Sequence, residues 1–520
     1  MIKYVLGLCS SLILFTYRAN EKLINTRIQK PNIIYIMADD LGYGELGAYG
    51  QEKIETPNID ALAKGGMLFK QFYSGAPVCA PARAILMTGK HSGHNYIRGN
   101  DEWRDRGMVW DYMAMNNDST LEGQRPLPAN TITFAKLLQE QGYTNAIVGK
   151  WGLGAPHTES IPNNMGFDYF FGYNCQRQAH TLYPQHLYEN KARFYLKNKA
   201  IAPNTGMDED LDSLDINSYK DYTLDEYAET VMVEKMMTFV EKNKNKPFFL
   251  YWASPLPHLP LQAPKKWVDY YVNKFGDEKP YVFRKGKSGG YFPTRYPRAT
   301  YAAMISYLDE NVGKLVAYLK KEKLLDNTMI IFTSDNGPSF TGGCDPQFFD
   351  SAKPFDSQYG KGKGFVHEGG IRVPFIVHWP TKVKAGATSD HVGAFWDIFP
   401  TMLEIANIKK DVTTDGISIL PSMTGKSAQK KHDYLYWEFP EYGGQVAIRK
   451  DNFKMIWREI HSGNKTIEVF DLETDIKEQD NIANQHPELV SFFFETIKKE
   501  HTTPSIEKFI IKAVEDLCKN

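Results

Sequence analysis

The chain has 520 residues, and its 61 lysines and arginines against 62 aspartates and glutamates leave a formal net charge of −1. That balance excludes the broad cationic surface needed to bind nucleic acid or an anionic membrane. Five cysteines (Cys9, Cys79, Cys175, Cys344, Cys518) are too few and too scattered for a disulfide framework, while 42% apolar content suffices for a large core and a second domain.

Residues 1–19 open with Met1-Ile2-Lys3 and continue as a short apolar run to Tyr17, followed by Arg18. This is the pattern of a signal peptide, too short for a membrane anchor, and it predicts export to the periplasm or beyond. Cys9 lies inside the run behind Leu8, where lipid attachment needs a small residue, so no lipid anchor is expected. Asn32 to Met37 is a continuous apolar run that suits a strand buried on both faces of a parallel sheet. Cys79 then stands at the mouth of a helix: Pro81 fits its first turn, Ile85 and Leu86 its body, and Gly89 its stop. Thr131 caps a helix carrying Phe134, Leu137 and Leu138 at helical spacing before Gly142. Thr144 to Val148, Pro247 to Ala253 and Thr328 to Thr333 repeat the buried-strand pattern, and a stripe from Ile305 to Leu319 is a longer amphipathic helix. Gly425 to Lys431 is polar and lysine-rich, and marks a boundary. Beyond it, Tyr434–Phe439, Gln445–Arg449, Phe453–Arg458 and Thr466–Asp471 alternate as short strands before a helix over Glu488–Lys499. The expected fold is α/β: a large, mostly parallel sheet sandwiched by helices over residues 28–428, then a small α+β subdomain of antiparallel strands and a helix over 429–520.

Polar groups follow each predicted central strand: Asp39 and Asp40 after Met37, Lys150 after Val148, His258 after Ala253, and Asp335 and Asn336 after Thr333. Ligands of open α/β sheets bind at the carboxyl ends of the strands, so these groups should converge on one cleft. Asp39, Asp40, Asp335 and Asn336 offer oxygen and no soft donor, a set suited to a hard divalent cation, calcium first and magnesium second. A nucleophile at a helix start also sits where free N–H groups favour an anion.

The run Cys79-Ala80-Pro81-Ala82-Arg83, with Thr88-Gly89 closing it, resembles the signature of type I sulfatases of the alkaline phosphatase superfamily, and the resemblance extends from about Asn32 to the C-terminus. It implies that a maturation enzyme oxidises Cys79 to formylglycine, whose hydrated aldehyde attacks sulfur. The ligands Asp39, Asp40, Asp335 and Asn336 would then hold calcium, with residue 79 or the substrate's sulfate completing the shell. Arg83 is implied to hold the hydrated aldehyde, Lys150 and Lys363 to contact the sulfate, and His258 to protonate the leaving oxygen or contact the sulfate. The remaining hydroxyl would expel sulfate and restore the aldehyde. Two departures stand out. Ala82 replaces the serine of the preferred maturation motif. Gly149-Lys150-Trp151-Gly152-Leu153-Gly154 lacks the histidine that many relatives carry where this chain has Gly152. Among the candidates in Tyr173–His180 to fill that role, His180 is favoured, from a loop able to reach back over the strand ends.

The substrate class is expected to be a sulfated glycan, gripped by Arg98, Asn100 and Arg177, with Gln176, Glu438, Tyr442, His91 and His94 close by in the sequence or on the same rim. The Gly152 variant together with Asn174-Cys175-Gln176-Arg177-Gln178-Ala179-His180 is similar to the bacterial carbohydrate sulfatase branch, which implies 4-sulfated galactose or N-acetylgalactosamine. A phosphodiesterase or phosphonate monoester hydrolase using the same nucleophile and metal stays open as the alternative.

Overall fold

The computed structural model describes residues 30–287 and 289–519; the signal-peptide reading of residues 1–19, Cys9 included, lies outside them. The four apolar runs become neighbouring strands. Asn32–Ala38 lies between Thr328–Ser334 and Phe248–Ala253, parallel to both, and Thr144–Lys150 pairs parallel on the far side of Phe248–Ala253. Strands covered on both faces have no polar side to alternate, which is why they read as unbroken apolar segments.

The whole sheet has ten strands, in the order Ala387–Ser389, Met67–Phe69, Phe375–His378, Thr328–Ser334, Asn32–Ala38, Phe248–Ala253, Thr144–Lys150, Tyr169–Tyr173, His186–Glu189 and Ala192–Tyr195. Its centre is parallel, and antiparallel pairings enter on both flanks, at Phe375–His378 against Thr328–Ser334 and at His186–Glu189 against Tyr169–Tyr173. Along Asn32–Ala38 the side chains alternate between two cores. Ile33, Tyr35 and Met37 face the layer holding helices Cys79–Thr88, Phe134–Glu140 and Ile398–Ile405. Ile34, Ile36 and Ala38 face Pro57–Gly65, Ala228–Asn243, Lys265–Phe275 and Pro297–Lys321.

One helix start differs from the expectation. The cap of Phe134–Glu140 is Thr133, whose side chain accepts from Lys136 N–H at 3.1 Å, and not Thr131. Thr131 is still inside a turn, donating its N–H to Pro128 C=O.

The C-terminal part is a four-stranded antiparallel meander of Leu435–Phe439, Gln445–Lys450, Phe453–Arg458 and Ile467–Asp471. Its period-two alternation is legible in the packing. Leu435, Trp437 and Phe439 enter the catalytic-side core, while Tyr436, Val446 and Ile448 face helices Pro487–Glu500 and Lys512–Lys519. Trp437 Nε1–H donates to Ser74 C=O at 2.9 Å, which fixes this sheet against the approach to the Cys79 helix. Among the described residues no helix is long and apolar enough to cross a membrane.

Candidate active site

Every predicted strand end delivers its group to one buried nest. Asp40 takes a left-handed turn (φ 66°) directly after the Asn32–Ala38 strand, and its N–H donates to Asp335 Oδ1 at 3.2 Å. Asp39 N–H donates to Leu256 C=O (2.9 Å) and Asp335 N–H to Ala38 C=O (3.1 Å), so the loops after three parallel strands are stitched together. Asp39, Asp40 and Asp335 are all but fully buried.

Cys79 is the first residue of its ten-residue helix, and Pro81 lies in the first turn, where a missing N–H breaks no helical bond. Gly89 ends the helix at φ 67°, where an added Cβ would meet Phe399 Cβ at 2.6 Å. Cys79 Sγ lies 3.2 Å from Asp39 Oδ1. Burial, reinforced by the Asp39 charge, pushes the thiol well above its ordinary range, so the unmodified side chain is a protonated and weak nucleophile. One turn on, Arg83 donates to Asp335 Oδ2 from Nε (3.1 Å) and Nη2 (2.8 Å), and to Lys150 C=O from Nη1 (2.5 Å).

The two lysines converge as expected. Lys150 Nζ is 2.6 Å from Asp39 Oδ2, and Lys363 Nζ is 2.7 Å from Asp40 Oδ2. Lys363 is carried on a loop whose own N–H bonds to Pro338 C=O, while Gly364 N–H bonds to Pro77 C=O, which ties it to both the Asn336 segment and the approach to Cys79. His258 Nδ1–H donates to Leu259 C=O at 2.6 Å, which aims Nε2 into the nest, 3.7 Å from Asp40 Oδ2. Burial and Lys363 hold this imidazole well below its usual range.

The donor set fits a cation. Asp39, Asp40, Cys79 and His258 present ligand atoms within 4.8 Å of one another. Asn336 donates from Nδ2 to Asp40 Oδ1 (2.8 Å) and Gly337 C=O (2.9 Å), and its buried Oδ1 has no partner. An orphaned carbonyl oxygen beside three buried carboxylates is the environment a hard ion completes. The charges agree. Asp39 is held well below the carboxylate range despite its burial, chiefly by Lys150. Burial and the Asp39 charge instead push Asp335 up to about 7, and burial also raises Asp40 against the pull of Lys363. Arg83, Lys150 and Lys363 match the three carboxylates in number, and a bound cation would hold Asp335 and Asp40 ionised against the effect of burial.

His180 stacks on His258 with ring centroids 5.3 Å apart, and its Nδ1 accepts from Arg177 Nη1 at 3.3 Å. It therefore reaches the site, but the space left by Gly152 belongs to another residue. Gly152 has φ +74°, and a Cβ built there would lie 3.1 Å from Gln176 Cγ and 3.5 Å from Gln176 Oε1. Gln176 Nε2–H donates to Asn100 Oδ1 (3.1 Å), which also accepts from Ala80 N–H (3.2 Å) in the first turn of the Cys79 helix. Gln176 Oε1 is buried and unpartnered. The sequence signal for this was the glycine itself.

Of the expected substrate residues, Arg177 lies at the cleft, with its guanidinium 5.4 Å from the exposed Trp110 ring. Asn100 is committed to the helix start. Arg98 is a correction: it is 2% exposed and donates to Glu438 Oε1 (3.0 Å), Asn95 C=O, Gly93 C=O and Thr502 Oγ1, so it braces the fold and has no free donor face for a ligand. Glu438 is spent on the same network, with Tyr436 and His501. His91 and His94 pair with Glu500 and Asp415 away from the nest. Sequence reasoning passed over Trp110, and also Tyr291, whose ring lies 5.7 Å from His180.

Comparison with known proteins agrees with this geometry. The family model described as Sulfatase matches residues 31–408, and one described as N-sulphoglucosamine sulphohydrolase, C-terminal, matches residues 359–501. The chain is 31% identical over 418 residues to the N-acetylgalactosamine-6-sulfatase of Canis lupus familiaris, covering 78% of this chain and 69% of that protein. It is 28% identical over 547 residues to an uncharacterized sulfatase of Schizosaccharomyces pombe, covering 90% and 92%. Among solved structures, Ps i-CgsB in complex with k-i-k-neocarrahexaose matches with a TM-score of 0.71 at 27% identity, over 94% of this chain and 97% of that one.

Proposed function

The chain belongs to the sulfatase family and is a sulfuric ester hydrolase, and from that premise we propose that it removes sulfate from a sulfated carbohydrate, of the galactose or N-acetylgalactosamine type, using formylglycine at position 79. The observation that carries the proposal is the nest itself: a helix-start cysteine 3.2 Å from Asp39, ringed by three buried carboxylates, two lysines and Arg83. Asp39, Asp40, Asp335 and Asn336 would hold calcium, or magnesium in its place, which supplies fixed positive charge to the sulfuryl oxygens. Oxidised by a maturation enzyme, residue 79 supplies the hydroxyl nucleophile that the protonated thiol cannot.

The remaining chemistry falls to the chain's own groups. Lys150 and Lys363 exchange their carboxylate partners for sulfate oxygens without moving far, and so balance charge as the ester bond breaks. Arg83 pulls Asp335 toward its ionised form against burial and the Asp39 charge. His258 presents Nε2 to the leaving oxygen, and the bound sulfate anion favours its protonated form against the pull of burial. Gln176 Oε1, buried and unpartnered in the volume of the absent histidine, is the acceptor left to orient the residue 79 hydroxyl. His180, with Nδ1 engaged by Arg177, offers Nε2–H to the sugar. Export through the N-terminal segment would bring the enzyme to polymeric substrate.

The test is mass spectrometry of the Cys79 peptide after co-expression with a maturation enzyme, joined to turnover of 4- and 6-sulfated sugars and paired aryl sulfate and aryl phosphodiester substrates. Aldehyde at position 79 with sulfate release is the expected result, and preference for the diester would favour the alternative hydrolase. Cys79→Ser made in a host that oxidises only cysteine should be inert. Chelation should abolish turnover, with calcium restoring it; activity undiminished by chelator would remove the cation from the account.

A further inference from the structure

Lys363 is flanked by two glycines, and each has an aromatic ring where a side chain would be. A Cβ on Gly362 would meet Phe340 Cζ at 2.4 Å, and one on Gly364 (φ +86°) would meet Tyr442 Cε1 at 2.7 Å. From there the rings continue edge to face: Phe340 to Tyr359 (5.7 Å), Tyr359 to Phe365 (5.9 Å) and Phe365 to Tyr442 (5.6 Å). The chain of rings is anchored inside, where Tyr442 stacks on the fully buried Phe439. It is open outside: Tyr359 is 76% and Tyr442 53% exposed. Single exposed aromatics are ordinary on protein surfaces, but here two exposed tyrosines belong to one packed run of rings that starts at the Lys363 loop.

Tyr442 is also held in an uncommon conformation. Its φ is 50°, a region that bulky residues rarely occupy, and Gly443 and Gly444 follow with φ of 89° and 76°. The hairpin is clamped in this shape by Gln445, which donates from Nε2 to Gly364 C=O (2.8 Å) and accepts at Oε1 from Val366 N–H (3.1 Å). That backbone shape holds the ring between the Lys363 loop and Phe439.

We propose that Tyr359 and Tyr442 form a stacking platform for the pyranose next to the sulfated one, so that the preferred substrate is an oligosaccharide rather than a single sugar. The inference rests on the carbohydrate reading above and adds to it a neighbouring sugar subsite. A pyranose suits the surface because its C–H face complements the negative face of a ring, while its rim of hydroxyls stays in water or meets the tyrosine hydroxyls. The platform is continuous with the sulfate-binding lysine, so a ring placed there belongs to the same molecule as the ester.

The experiment compares KM for a sulfated tetrasaccharide and its sulfated monosaccharide in wild type, Tyr359→Ala, Tyr442→Ala and Tyr442→Phe, together with calorimetric binding of the desulfated tetrasaccharide. Each alanine variant should raise the tetrasaccharide-to-monosaccharide KM ratio about tenfold, and Tyr442→Phe should keep the wild-type ratio. Equal loss on both substrates would make Tyr442 a prop for Lys363, and an unchanged ratio would leave the rings without a sugar; either result overturns the platform. Tyr359 is mostly exposed, so its alanine variant keeps the test clear of misfolding. If wild type cleaves neither ester, the substrate reading has failed, and the platform is then judged on desulfated tetrasaccharide binding: equal affinity in wild type and Tyr359→Ala refutes it.

Discussion

Gly152 and Gln176 share one small volume, and the chain fills it from position 176. A side chain at 152 would start 3.1 Å from Gln176 Cγ on a backbone with φ +74°, so the glycine is both a conformational and a steric requirement. Gly152→His, which restores the common family residue at that position, should therefore lower kcat/KM by roughly a hundredfold, because it displaces Gln176 from Asn100 and the start of the Cys79 helix. Gly152→His combined with Gln176→Gly should recover part of that loss. A single Gly152→His variant as active as wild type would show that the shared volume has no role. Residue-level reading of the sequence brought Cys79, Arg83, Lys150 and Lys363 to one place from their local motifs, and the structure brings the same four together. It failed for Arg98 and Glu438, both read as sugar-gripping groups: they bind each other across 340 positions, and nothing local in either segment encodes that pairing.

The Lys363 loop is the element on which the two sheets meet. It bonds to Pro338 beyond Asn336, to Pro77 ahead of Cys79, and through Gly364 and Val366 to Gln445 at the start of the second strand of the small sheet. Gln445 is fully buried, so Gln445→Ala strands a backbone N–H and C=O, costing about 1–3 kcal/mol. Because those groups follow directly on Lys363, the variant should also raise KM for sulfate esters while Cys79 oxidation, read by mass, proceeds as in wild type. Unchanged KM in a folded Gln445→Ala protein would detach the small sheet from the site. The central strands were legible because burial on both faces leaves unbroken apolar runs. Short flanking strands such as Met67–Phe69 and Ala387–Ser389 were not, since three residues carry no period and their pairing is decided by the neighbouring strand.

Across the whole molecule, His501 joins two carboxylates of the C-terminal segment, one of which, Glu438, also meets Arg98 of the catalytic part. Its Nδ1 lies 2.9 Å from Glu438 Oε2, which also serves Arg98, and its Nε2 lies 2.9 Å from Glu515 Oε1 in the last helix. Burial alone would lower this imidazole, but the two carboxylates outweigh it and the folded pKa is raised. A raised folded pKa means that the folded state binds the proton more tightly than the unfolded one. The resulting stabilisation is full below the unfolded value of about 6.5 and is lost as pH rises through the folded value. His501→Gln keeps a hydrogen-bonding group but cannot carry the charge. The difference in melting temperature between wild type and His501→Gln should therefore be largest near pH 6 and shrink by pH 8. Subtracting the variant cancels histidines with the opposite sign, His180, His258 and His367, whose burial lowers them and whose contribution fades on acidification instead. A gap between the two proteins that stays constant as pH rises from 6 through the whole range in which both remain folded would mean that His501 contributes no charge-linked stability, and that packing rather than charge holds the last helix against the small sheet.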